Sequence, residues 1–396
     1  MNATELIQIV ERAYPRLGGS VDCGLAVFGA MALKDRRKPL AVIFESPSGY
    51  GKSAVVQMFF PTEGSALADH AYRCDKFSTK AFVSHSANVS REKLADVDLL
   101  PKLKNRVLLV KELAPIFRGR EDDLKESFAI LIAVLDGKGF TSSSGVHGKR
   151  GYEQDIVFNW LGATTPLPRE THHLMYQLGT RLLFYEVPAV EPSEEELLAY
   201  AQREDTGQVE MVCQLAVNEF LVHFFKQHPP GSVPHQAIAI SESSARYLTR
   251  WARLVACGRA GLKYERDGNE WNAVARQTPE GPYKLVNYFK ELASGHALVN
   301  GRDEVNPKDL ELIEDVAISS IPGYLRPIVQ MLRRAPSVDS SECEAILEVS
   351  RPTARRYLKE LSMLQVGVLS KGSPSTNEPD LVELSEQFQW LRNGKP

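Results

Sequence analysis

At 396 residues the chain is longer than one hydrophobic core of ordinary size serves, so two or three domains are expected, and 43% hydrophobic with 24% charged residues marks it as soluble and globular. A formal net charge of −3 excludes nucleic-acid binding through bulk charge and leaves it to local basic patches. The opening MNATELIQIVERAYPRL carries two acids and no unbroken apolar stretch, which excludes a secretory signal. No run reaches the roughly 18 apolar residues of a membrane span, so a cytoplasmic protein with no membrane partner is expected.

In chain order, residues 1–38 read as short helices that pack on the rest of the chain or on a neighbour. The segment KPLAVIFESPSGYGKSAVVQMFF then gives a short apolar strand (Leu40 to Phe44), a turn of small residues and an apolar helix. A phosphate loop needs this order: glycines let backbone N–H groups turn inward on phosphates, and the helix start adds its positive end. Ser48, Gly49, Tyr50, Gly51, Lys52, Ser53 and Ala54 are the expected nucleotide contacts, for ATP with Mg²⁺. Lys52 reaches the β- and γ-phosphates and the Ser53 hydroxyl the metal. Ser46 stands where the usual pattern has its first glycine.

About sixty residues on, Val107 to Val110 has the run of a buried parallel strand, and Glu112 after it is the candidate acid for the metal and the attacking water. Lys111 occupies the position where a metal-binding Asp is usual. Either Glu112 with Ser53 suffices, or another acid serves the metal, or hydrolysis is slow and nucleotide acts as a switch. A helix over Leu124 to Leu135 follows. Gly139 to Thr141, a Ser/Gly-rich turn and Tyr152 to Phe158 then form a β-hairpin, ahead of a strand over Val157 to Leu161 that ends in Thr164-Thr165-Pro166. His172-His173 is the one histidine cluster and is expected on a loop or the surface. The five cysteines (Cys23, Cys74, Cys213, Cys257, Cys343) lack any C-x-x-C spacing and read as reduced thiols.

The order of phosphate loop, acid-ended strand, hairpin and Thr-ended strand resembles the AAA+ ATPases that carry a hairpin before their sensor-1 strand, among them the minichromosome-maintenance-type helicases. That resemblance implies a sensor role for Thr165. It also implies DNA contact by His147, Lys149 and Arg150 at the hairpin tip. In LGTRLLFYEVP it makes Arg181 a finger acting on the neighbouring subunit, so the active site is completed in a homo-oligomer, with a hexameric ring the expected size; the alternative for Arg181 is a salt bridge at a strand start. Lys284 falls where the family places its sensor-2 arginine, with Arg246, Arg250 and Arg253 as alternatives, and Asn306-Pro307 starts the second helix of a lid. The resemblance spans about residues 40–320. The segments LLPKLKNRVLLVKELAPIFRGRED and WLGATTP are also typical of bacterial and phage ATP-binding proteins; Arg118 and Arg120 face DNA, a neighbour or solvent.

An acidic helix (Ser193 to Arg203) and an apolar one (Val209 to Phe225) read as lid structure. Past Pro336, helices from about Ser341 to Leu347 and Pro352 to Met363 have helix-turn-helix spacing, and Gln365 to Leu369 suggests a wing. The segment resembles a winged helix, in which Thr353, Arg355 and Arg356 meet bases and Arg351 and Lys359 phosphates, or which docks a partner protein. Phe388 and Trp390 are expected to pack back on the wing. The resulting expectation is an α/β protein: N-terminal helices (1–38), a P-loop AAA+ parallel-sheet core (39–190), a helical lid (191–330) and a C-terminal winged-helix domain (331–396). The expected function is that of an ATP-dependent DNA helicase or translocase. Its rival is a nucleotide-switched DNA-binding regulator or loader. A metabolic kinase is disfavoured, since no small-substrate site is evident.

Overall fold

The computed structural model describes residues 1–396 except 77, 84–92, 145–147, 177–178, 180, 203–205, 268–269, 373–378 and 394–396. Five strands form one parallel sheet: β1 (Leu40–Glu45), β2 (Ala71–Arg73), β3 (Val107–Val110), β6 (Asn159–Thr164) and β7 (Leu182–Glu186), in the order β2-β3-β6-β1-β7. Their near-continuous apolar sequences follow from burial on both faces. Along β1, Leu40, Val42 and Phe44 enter one core and Ala41 and Ile43 the other. β7 alternates likewise, with Leu183 and Tyr185 opposed to Leu182 and Phe184.

Between β3 and β6 stands the expected hairpin, β4 (Phe140–Ser144) with β5 (Gly148–Tyr152). Its second strand ends at Tyr152 rather than starting there as the sequence suggested, because the Tyr152 hydroxyl anchors the hairpin base to the buried Asp98 carboxylate at 2.9 Å. The chain then re-enters the sheet at Asn159, two residues later than expected.

The helices α1 (Ala3–Ala13), α2 (Gly18–Ala30) and α3 (Lys52–Met58) lie on the first core's side, whereas α5 (Ala114–Phe117), α6 (Glu121–Val134) and α7 (Arg169–Met175) pack into the second; α4 (Leu94–Val97) precedes β3. His172 and His173 are half-buried on α7, not on a loop. Next come α8 (Glu194–Ala201), α9 (Thr206–Gln227) and α10 (Glu242–Gly258), an unanticipated hairpin of β8 (Leu262–Asp267) and β9 (Glu270–Arg276), then α11 (Tyr283–Val299), α12 (Pro307–Ser319) and α13 (Arg326–Arg334). Asn306 and Asp309 cap α12 reciprocally, as the Asn306-Pro307 start predicts. The C-terminal unit is α14 (Ser340–Leu347), α15 (Arg351–Met363) and an antiparallel sheet of β10 (Ser337–Asp339), β12 (Leu381–Leu384) and β11 (Gly367–Ser370), closed by α16 (Trp390–Asn393). Trp390 packs edge-on to Trp251 of α10, 5.1 Å between centroids, rather than on the wing.

One core cluster runs continuously from Ala3 to Leu391, so the boundaries expected near residues 38, 190 and 330 do not interrupt it. It includes the close crossing of α2 and α11, where a Cβ on Gly29 would lie 2.3 Å from the Gly295 carbonyl oxygen, and any side chain would push the helices apart. Nearby, the His296 ring meets Asp309 Oδ1 at 2.5 Å and Asp22 Oδ2 at 2.8 Å, and Arg302 also pairs with Asp309. Burial disfavours a charged His296, but the two carboxylates outweigh it and lift its pKa to about 9. No helix among the described residues is long and apolar enough to cross a membrane.

Candidate phosphate-binding site

β1 delivers the chain to Ser46 at the C-terminal edge of the sheet, and α3 begins six residues later. Gly49 (φ 94°) and Gly51 (φ 82°) take the left-handed conformation that reverses the chain. Ser46 does not, which is why a serine fits where glycine is usual; its N–H donates to the Thr164 carbonyl at 3.3 Å and ties the loop to β6. Among the described residues, the backbone N–H groups from Ser48 to Ala54 find no acceptor. The Lys52 side chain is buried, at 6% residue exposure, with no carboxylate partner among the described residues. A run of backbone donors without acceptors beside an unneutralised, little-exposed lysine is a cradle for an anion. Leu17, between α1 and α2, closes one side: its Cδ1 is 2.8 Å from where a Cβ on Gly51 would sit.

β3 is not the neighbour of β1. β6 lies between them, yet the Ser53 hydroxyl spans the gap and donates to the Lys111 carbonyl at 3.3 Å. Glu112 is therefore placed beside the loop, half-buried, its Oε1 accepting the Ala114 N–H at 2.8 Å at the start of α5. The Lys111 ammonium is engaged elsewhere, 3.1 Å from Asp75 Oδ1 and 5.7 Å from the centre of the Phe60 ring. Hydrogen bonds from Arg73 and Lys111 hold the Asp75 carboxyl below its usual range. Thr165, at the end of the intervening strand, accepts a 2.8 Å hydrogen bond from Arg118. The hydroxyl of Ser53 and the carboxylate of Glu112 are hard oxygen donors of the kind Mg²⁺ prefers.

Two residues not anticipated from sequence brace this edge. Glu45, directly before the loop, is buried against Arg326 of α13 at 2.8 Å. The same guanidinium reaches Glu186 at 3.0 Å and the Ser319 carbonyl at 2.6 Å. Burial opposes the charge on Arg326, and the two carboxylates more than restore it, so its pKa rises. A charged residue ending an otherwise apolar strand was the available signal for Glu45.

Other candidates lie elsewhere. Arg181 precedes β7 at the opposite edge of the sheet, 8% exposed, with Asp136 at 3.1 Å, which is the strand-start salt bridge. Lys284 binds Glu280 at 2.6 Å, and a Cβ on Gly179 would meet both Glu280 and Arg181, so Lys284 belongs to that edge and is not brought to the phosphate loop. Arg246 pairs with Glu242, and the Arg250 guanidinium lies 5.9 Å from the centre of the Trp390 ring. On the β4–β5 hairpin Lys149 pairs with Glu153 and Arg150 sits half-buried on β5, while His147 lies outside the described residues. On α15, Arg351 is half-buried, Thr353 meets the Ser350 hydroxyl at 3.0 Å, Arg355 lies 3.6 Å from Asp380, and Arg356 and Lys359 carry no ion pair among the described residues. No known protein-family model matches this chain, and no curated protein matches it.

Proposed function

We propose that this protein is a P-loop ATPase of the AAA+ type that works on DNA as a helicase or translocase. The observation that carries the nucleotide reading is that, among the described residues, the N–H groups from Ser48 to Ala54 find no acceptor and the little-exposed Lys52 beside them finds no carboxylate. A polyphosphate satisfies both at once. Lys52 takes the β- and γ-phosphate charge, and the loop orients the terminal phosphate towards Glu112 and Thr165. Glu112 polarises the attacking water, and Thr165 with Arg118 supplies hydrogen bonds at the reacting phosphate. Ser53 and Glu112 would hold Mg²⁺, which supplies charge neutralisation when bound. The strand order supports the AAA+ comparison, because it seats the Thr164-Thr165 strand between the loop and the Glu112 strand. The β4–β5 hairpin and the basic helix α15 support a DNA substrate.

A second reading, a nucleotide-switched DNA-binding regulator or loader, is favoured by one observation: the Glu112 carboxylate already accepts the Ala114 N–H, which weakens it as a base. Steady-state ATP hydrolysis with and without single- and double-stranded DNA, together with the mass of the assembly, separates the two. DNA-stimulated turnover by an oligomer supports the motor. Slow, DNA-indifferent turnover with ATP-dependent assembly supports the switch. Failure of the wild-type chain to bind ATP overturns both.

A further inference from the structure

The basic face of α15, on which Arg355 and Lys359 are exposed, is not a free-standing surface. It forms one wall of a cleft of about 1150 Å³ whose opposite wall comes from the ATPase core and the β8–β9 hairpin. Thr353, Arg356 and Lys359 line the first wall; His173, Tyr264 and Asn272 line the second. The two walls are pinned together by Arg169 of α7, which pairs with Glu360 of α15, a residue with no solvent exposure, and lies 5.2 Å from the Tyr264 ring centre and 5.8 Å from that of Tyr357. The cleft is therefore part of the packed molecule.

Its chemistry is that of a strand with phosphates on one side and bases on the other. Among the described residues, Arg356, Lys359 and Lys371 have no carboxylate within ion-pair distance and the buried Nε of Arg356 has no hydrogen-bond partner. Opposite them, the His173 and Tyr264 rings pack 4.6 Å apart. His173 is neutral, its pKa lowered to about 4 by burial and by Arg169, so that wall offers ring surface and the Asn272 amide, together with the Glu170 carboxylate and the Arg169 guanidinium that Glu360 already engages. Major-groove reading of a duplex requires a helix that projects from its domain, whereas here α15 faces a wall. Cations along one side and aromatic rings on the other are the arrangement that grips an unpaired strand.

We propose that this cleft holds a single strand of nucleic acid, its phosphates on α15 and its bases against the Tyr264 wall. The inference rests on the nucleic-acid part of the function proposed above and names the form of its substrate. The test is fluorescence anisotropy on the full chain with labelled oligo-dT, oligo-U, a blunt duplex and polyglutamate as competitor. The wild-type protein should bind oligo-dT or oligo-U at least tenfold more tightly than the duplex. Asn272→Glu, on the wall that faces α15, should weaken strand binding about tenfold, and Lys359→Ala should lower the salt slope by about 0.7. Both side chains reach solvent, and unchanged melting temperatures certify folding. Duplex bound as tightly as the single strand, or Asn272→Glu without effect, overturns the cleft while leaving a DNA-dependent ATPase standing. Polyglutamate competing as well as the oligonucleotide makes the cleft a peptide site and overturns it too. Strand binding through the cleft with DNA-indifferent ATP turnover keeps the cleft and removes the motor.

Discussion

Replacing Arg326 by Met tests how the phosphate loop is anchored. The guanidinium is 4% exposed at the residue level and serves Glu45, Glu186 and the Ser319 carbonyl, so its removal leaves the Glu45 carboxylate buried with only the Leu167 N–H at 3.2 Å. An orphaned buried charge of this kind costs about 3–5 kcal/mol. Glu45→Gln alone should cost less, about 1.5–3 kcal/mol, because Arg326 keeps Glu186 and Ser319. In the double variant Glu45→Gln/Arg326→Met no uncompensated carboxylate remains at Glu45, so the two effects should fall short of additivity by about 2 kcal/mol. Urea denaturation of the four proteins at neutral pH measures the cycle. A single Arg326→Met variant within 1 kcal/mol of wild type, or effects that add to within about 0.5 kcal/mol, would refute the reasoning. Because Glu45 adjoins Ser46, the same variant should also raise the KM for ATP.

The buried His296 makes stability fall with rising pH. Its folded pKa of about 9 lies above the 6.5 of an unperturbed histidine, so its contribution is complete below pH 6.5 and lost as pH passes 9; the shift amounts to roughly 3 kcal/mol. Urea midpoints between pH 6 and pH 10 should decline in the wild type and flatten in His296→Gln, and a level wild-type profile refutes the assignment. Arg118→Ala should lower ATP turnover about 10²-fold with nucleotide affinity unchanged, as measured by a fluorescent ATP analogue; equal losses in both would place Arg118 in ground-state binding. Arg181→Ala should lower the melting temperature, and mixing it with Glu112→Ala should not restore turnover, since Asp136 of the same chain holds the guanidinium; recovery in mixed assemblies would place Arg181 at a neighbour's phosphate.

The parallel sheet and the strand, glycine turn and helix of residues 40–58 were legible because their signals are local: a six-residue run that is apolar up to Glu45, glycines at 49 and 51, and Lys52-Ser53. The β8–β9 hairpin was equally legible, since Asp267-Gly268 sits between alternating segments, and it was missed among the helices that flank it. What stayed hidden was long-range. Nothing around Arg326 announces that it reaches Glu45, and Arg118 meets Thr165 only because α5 and β6 end at the same edge of the sheet. Lys111 was expected to weaken the metal site by its charge, an inference from position that ignored where a long side chain goes; Asp75 and Phe60 draw it away. Lys284 was placed by its order along the chain, and order does not say which end of a helix meets the sheet.

The crossing of α2 and α11 also bears on how the chain is made. The ribosome releases residues 18–30 early, yet the groove that receives them is completed only when residues 283–299 emerge. At ordinary elongation rates that wait is on the order of 15–50 s, during which a helix with no polar face lacks its principal partner, having only α1 and the first strands of the sheet beside it. Nascent chains of this protein should therefore depend on holding chaperones more than their final stability suggests, and fragments ending before α11 should aggregate.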